Sequence, residues 1–104
     1  MQVRVAGVVA EHFERDTGGT LADWRGWLPP ACHGHALTFT GPQQAQVQMG
    51  TGSLTLDWQA LPPRRLGLAK LPHLLVRYRF EGVAEEERAR FMRVFDLHMH
   101  RGGG

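Results

Sequence analysis

At 104 residues, 42% hydrophobic and 21% charged, the chain has ordinary globular content, which sets aside a disordered or membrane-embedded polypeptide and predicts one domain, residues 1–104, with one core. A lone cysteine, Cys32, excludes an intramolecular disulfide, and nothing approaches the roughly 18 apolar residues of a membrane span. Eleven arginines and one lysine give a formal net charge of +2, with three cations against five anions in residues 1–63 and nine against five in residues 64–104; that imbalance is too weak for a dedicated nucleic-acid binder, so nucleic acid is not an expected partner. Met1 to Ala10 has one early basic residue, Arg4, and an apolar run too short for a secretory leader, so the expected location is cytoplasmic.

Gln2 to Ala10 begins in alternation and becomes continuously apolar at Val8 to Ala10; the valines favour a strand, and a helix through Val5, Val9 and Phe13 is the competing phase. Asp16-Thr17-Gly18-Gly19 ends that element. Thr20 then offers a capping hydroxyl with Asp23 three residues on, and Leu21, Trp24, Trp27 and Leu28 form the stripe of a short helix that Pro29-Pro30 is expected to stop. From Ala36 to Thr40 the period is two, up to Gly41-Pro42. Ala45, Val47 and Met49 alternate with glutamines, and after Gly50-Thr51-Gly52 the residues Leu54, Leu56 and Trp58 alternate with Ser53, Thr55 and Asp57, the pattern of an antiparallel hairpin with one polar face. Leu61-Pro62-Pro63 is expected to break the strand. Leu66 and Leu68 read as a short edge element before a Leu71-Pro72 turn, and Leu74, Val76, Tyr78 and Phe80 as a further strand with Arg77 and Arg79 on its other face.

The clearest element is a helix from about Ala84 to His100, with Phe91, Val94, Phe95 and His98 on one stripe, Glu85 to Glu87 in its first turn and His98, His100 and Arg101 in its last, both complementing the helix dipole. Gly102 supplies a stop, and Gly102-Gly103-Gly104 reads as a frayed tail. The expected fold class is α+β: an antiparallel, strongly twisted or barrel-like sheet of five to six short strands, with a short helix in the N-terminal half and a C-terminal helix packed on the sheet.

Three groups of residues are candidate sites. Cys32, His33 and His35 are metal-ligating types, and His33 and His35 would point the same way on an extended segment, although the spacing matches no zinc-finger pattern. Arg64, Arg65, Arg77 and Arg79 could meet an anion. Trp24, Trp27 and Leu28 suit either a core face or an aromatic interface. Asp57 is expected exposed, Asp96 could pair with Arg93 one turn away, and Ser53, the one serine, lies outside any nucleophile elbow. No catalytic constellation and no phosphate-cradling loop stands out, so an enzyme is not expected and neither is a cofactor.

The stretch from Leu74 to about Phe95 resembles the last strand and helix of PilZ domains, small bacterial barrels that often bind cyclic di-GMP. The resemblance is one of architecture. The arginine-rich leader before the first strand and the Asp/Asn-x-Ser-x-x-Gly element of that family have no match around Ser53 or elsewhere, so no ligand residue carries over. The leading expectation is a protein-interaction module acting on a protein partner or as a homodimer; a small anionic-ligand or metal-binding domain is the alternative.

Overall fold

The computed structural model describes residues 8–102. Among these, five strands and two helices follow in the order β1 (His12–Gly18), α1 (Leu21–Ala31), β2 (Leu37–Gly41), β3 (Gln44–Met49), β4 (Gly52–Leu66), β5 (Ala69–Glu81) and α2 (Glu85–Gly102). The strands form one antiparallel sheet in the order β1-β5-β4-β3-β2. Cross-strand partners share a face, so the chain of pairings Phe13↔Tyr78, Tyr78↔Leu56, Leu56↔Ala45 and Ala45↔Phe39 marks the apolar one. Both helices cover that face. Trp24 of α1 meets Trp58 of β4 at 5.8 Å between ring centroids and Phe95 of α2 at 6.2 Å, while Tyr78 and Phe80 of β5 meet Phe95 and Phe91 edge-on. The opposite face, with Thr38, Gln46, Gln48, Thr55, Asp57, Arg77 and Arg79, is covered by neither helix; Asp57 lies on this polar face as expected but is half-buried rather than exposed, accepting from Gln44 Nε2 at 2.7 Å.

The α+β class and the five strands agree with expectation, but the sheet is open rather than barrel-like. Two helices bury the apolar face that closure would otherwise have to hide, and β1 and β2 are left as edges. Charged Glu14, Arg15 and Asp16 protect the β1 edge against further pairing. Residues 1–7 lie outside the description, so the expected strand Gln2–Ala10 is testable only at Val8 to Ala10, which are irregular; the first strand among the described residues is His12–Gly18. Its inward Arg15 is answered by Asp96 of α2 at 2.6 Å, in place of the expected Arg93 partner.

Helix α1 begins as read: Thr20 Oγ1 accepts from the Asp23 N–H at 3.0 Å, and Asp23 Oδ2 accepts from the Thr20 N–H at 3.1 Å. Pro29 and Pro30 do not stop it. They sit in its last turn, where the Cys32 N–H closes the helix by donating to the Leu28 and Pro29 carbonyls at 3.2 Å each. Gly102 lies inside α2 rather than beyond it.

The largest departure is at Pro62-Pro63. These residues do not break β4, which runs for 15 residues against 13 in β5. The ladder passes from Leu61↔His73 to Arg64↔Leu71, so two residues on β4 oppose one, Pro72, on β5. This is a β-bulge in which all three unpaired positions are proline, the residue with no N–H to leave unsatisfied. The turn falls at Gly67-Leu68, not at Leu71-Pro72. Gly67 has φ 62° and Leu68 a negative φ, the pattern of a tight type II′ hairpin turn.

Candidate interaction site

Pairing with β1 ends at Gly18↔His73 and pairing with β3 starts at Gln44↔Asp57, so among the described residues β4 and β5 pair only with each other beyond the bulge. The result is a two-stranded arm that stands out from the sheet by about 20 Å, at roughly 3.3 Å per residue from Leu61 to Gly67. A polar latch holds its root. Asp16 of β1 accepts from Arg64 at 2.9 Å and bonds His73 Nδ1 at 2.9 Å, while His73 Nε2 lies 2.8 Å from the Pro62 carbonyl. Both ring nitrogens of His73 therefore face oxygen atoms.

The arm is apolar where it is most exposed. Leu66, Leu68 and Leu71 are 69%, 107% and 45% accessible. Single exposed leucines are unremarkable on a protein surface; three within six residues on one narrow ribbon form a patch. Arg65 and Lys70 sit directly opposite each other near the tip, two like charges side by side. At the root, on the helix side, an apolar groove of about 450 Å³ runs between the start of α1 and the hairpin, lined by Leu21, Ala22, Ala60, Leu61, Pro63 and Leu74 among others.

The expected site residues fall elsewhere. Trp24 and Leu28 are wholly buried in the core between the helices and the sheet, and Trp27 is half-buried with its ring against Gly19, so the stripe faces inward. The four arginines do not converge. Arg64 is taken up by Asp16, Arg77 pairs with Glu14 at 2.9 Å, and Arg79 lies 3.9 Å from Asp57, all carboxylates of this chain, and Arg65 is out on the arm.

Cys32 is buried, and burial pushes its thiol up to about 11, which disfavours the thiolate that metal binding needs. His33 and His35 do come together, at 4.9 Å between ring centroids and both against Phe91, but through a tight turn after α1 in which His33 has φ 39°, not through an extended segment. Each has a ring nitrogen near a backbone carbonyl, His33 to Phe91 at 3.4 Å and His35 to Cys32 at 3.0 Å. Burial holds His33 below the usual imidazole value, opposed by its contact with the Phe91 carbonyl. They line a shallow groove with Glu87, Arg90 and Val94, of which Cys32 is not a part. Among the described residues no group of three His, Cys, Asp or Glu side chains is placed to hold a metal ion.

No family model and no curated protein matches this chain.

Its own surface is therefore the guide, and the residues that stand out there, Leu66, Leu68 and Leu71, are ones sequence reasoning placed in an edge element and a turn. A signal for them was present: Gly67-Leu68 is a two-residue glycine-led loop between segments that can pair, the usual mark of a hairpin. Among the described residues no helix is long and apolar enough to cross a membrane.

Proposed function

We propose that this chain is a protein-interaction module whose contact element is the β4–β5 arm. The observation that carries the reading is the exposure of Leu66, Leu68 and Leu71 on a ribbon that has no neighbour in the sheet among the described residues. Burying one leucine side chain is worth about 1.5–3 kcal/mol. A hairpin of two strands is only marginally stable in water by itself, so three leucines held there are better accounted for by a contact than by the arm's own stability.

The arm's chemistry also supports a particular kind of contact. Pro62, Pro63 and Pro72 deprive its root of ladder donors, which disfavours the addition of a partner strand and leaves side chains to make the interface. The anionic-ligand reading has less support, because three of its four arginines face carboxylates of the same chain.

Leu68→Asp is expected to lower the recovery of an arm-bound partner from lysate at least about 10-fold, the equivalent of the lower end of one leucine burial. Gln46→Asp, on the open polar face, is expected to leave recovery unchanged, and both variants should melt within a few degrees of wild type because both positions are exposed. Equal recovery with wild type and Leu68→Asp would remove the arm from the account.

A further inference from the structure

We infer that His33 and His35 anchor a site for a borderline divalent transition metal, zinc being the type case, with Glu87 of α2 as the third donor. The site lies on the turn between α1 and β2 and on α2, and is independent of the arm.

The turn brings the two rings together. The His33 N–H donates to the Pro30 carbonyl at 3.1 Å and the His35 N–H to the Cys32 carbonyl at 3.0 Å. His33 and Gly34 have φ of 39° and 94°, and among the described residues His33 is the one non-glycine residue with a positive φ. Such a conformation is uncommon for a side chain with a Cβ and persists where the surroundings hold it. Here both imidazoles rest against Phe91, at 4.9 and 5.2 Å between ring centroids.

Backbone carbonyls decide which ring nitrogens are free. The Phe91 carbonyl faces His33 Nε2 at 3.4 Å, and the Cys32 carbonyl faces His35 Nδ1 at 3.0 Å. A carbonyl only accepts, so in the neutral rings these two nitrogens carry the proton. His33 Nδ1 and His35 Nε2 are left with lone pairs. A ring N–H given to a backbone carbonyl is the arrangement that fixes the tautomer of metal-ligating histidines. The spacing agrees. Zinc–nitrogen bonds of about 2.0–2.1 Å at a tetrahedral angle set two imidazole centroids roughly 5 Å apart, and these lie 4.9 Å apart.

Glu87 stands one turn before Phe91 on α2 and lines the same groove of about 300 Å³. Among the described residues no three ligands are preassembled, so the imidazoles are the anchor and the Glu87 carboxylate reaches the metal by rotation of its side chain. Two imidazoles, a carboxylate and a water make a four-coordinate set, and imidazole suits zinc, copper or nickel rather than magnesium or calcium. Cys32 is buried outside the groove and takes no part. Arg90, the cation that lines the groove, opposes a bound metal ion.

Titration of the full chain with zinc chloride at neutral pH tests this, read by calorimetry and by heteronuclear NMR of the imidazole nitrogens. Before zinc is added, His33 should carry its proton on Nε2 and His35 on Nδ1. Zinc should then shift His33 Nδ1 and His35 Nε2, and magnesium chloride should shift neither. His33→Asn, which tolerates the positive φ, and His35→Gln should each weaken binding at least about 10-fold, the lower end of the loss when even a ligand's hydrogen-bond partner is removed. Glu87→Gln should weaken it less than either, Arg90→Gln should tighten it, and His12→Gln, at an exposed position on β1, should leave it unchanged. Melting without metal verifies the fold of each variant, and the wild-type ring spectra decide the question without any variant. Zinc uptake only in millimolar excess, shifts confined to other histidines, or the opposite tautomers at His33 and His35 would overturn the site. So would undiminished binding by the variant carrying both His33→Asn and His35→Gln.

Discussion

Replacing Gly52 by alanine is expected to cost about 3 kcal/mol or more, the upper part of the range for forcing extra atoms into a packed site. Gly52 opens β4 in a buried position opposite Met49. A Cβ there would overlap the Glu81 carbonyl oxygen and the Gly82 carbonyl group, all of it backbone. A flexible side chain could turn aside, but here the end of β5 or the start of β4 must shift, and the Ser53↔Glu81 register lies at that point. For a domain of this size the melting temperature should fall by about 12 °C or more. Gly26→Ala is the matched control. Its Cβ meets nothing within 4 Å, and the site is an exposed turn of α1, so the variant should gain about 0.5–1 kcal/mol from lower chain entropy and better helix propensity. Urea denaturation of the two variants checks the pair, and a Gly52→Ala variant within 1 kcal/mol of wild type would show that the β4–β5 junction is not packed as described.

Trp24→Ala should be costlier still, about 3–5 kcal/mol. Trp24 is fully buried and is the one residue that touches both Trp58 on the sheet and Phe95 on α2 through its ring, so its loss opens a cavity at the meeting point of three elements. The conservative change separates volume from polarity. Trp24 Nε1 is buried without a hydrogen-bond partner, and an unpaired buried donor is a standing penalty. Trp24→Phe removes that donor along with part of the ring, so the two effects oppose each other and the net loss should stay below about 2 kcal/mol. Equal destabilisation by Phe and Ala would mean that the indole N–H is satisfied in solution. Because the expected effect of Trp24 is on folding, a loss of association in Trp24→Ala should never exceed the fraction unfolded.

Some elements were open to reading because a single physical signal fixed them. β3 and the first half of β4 have one face of glutamine, serine and threonine and one of aliphatic residues, so period two is unambiguous. Helix α2 carries its acids at the start and its aromatic stripe on one side. β1 was hidden for the opposite reason. Its inward positions are Phe13, Arg15 and Thr17, and the arginine looks outward-facing until Asp96 of α2 arrives to pair with it, a contact spanning most of the chain. The valines upstream carry the stronger local preference, and of that stretch only Val8 to Ala10 lie within the described residues.

Proline misled twice. Pro29 and Pro30 fit within a last helical turn, and Pro62 and Pro63 fit within a strand because a bulge asks for residues that do not donate. Local breaking rules cannot register either accommodation, which depends on what pairs with the carbonyls and on how many residues the opposite strand supplies. The candidate site was hidden by the same kind of non-local fact. Leu66, Leu68 and Leu71 are visible in the sequence, but whether they lie in a sheet or on a free arm is decided by where β1 and β3 stop. His33 and His35 were brought together as foreseen, yet by a turn, and with Cys32 turned into the core.

The arm as contact element is tested most directly by placing a photo-reactive phenylalanine analogue at position 68 in the source cells, with the same residue at position 46 on the open polar face as the comparison. The account predicts a discrete cross-linked species at position 68 and only diffuse background at position 46. No discrete product at position 68, or the same products from both positions, would contradict it.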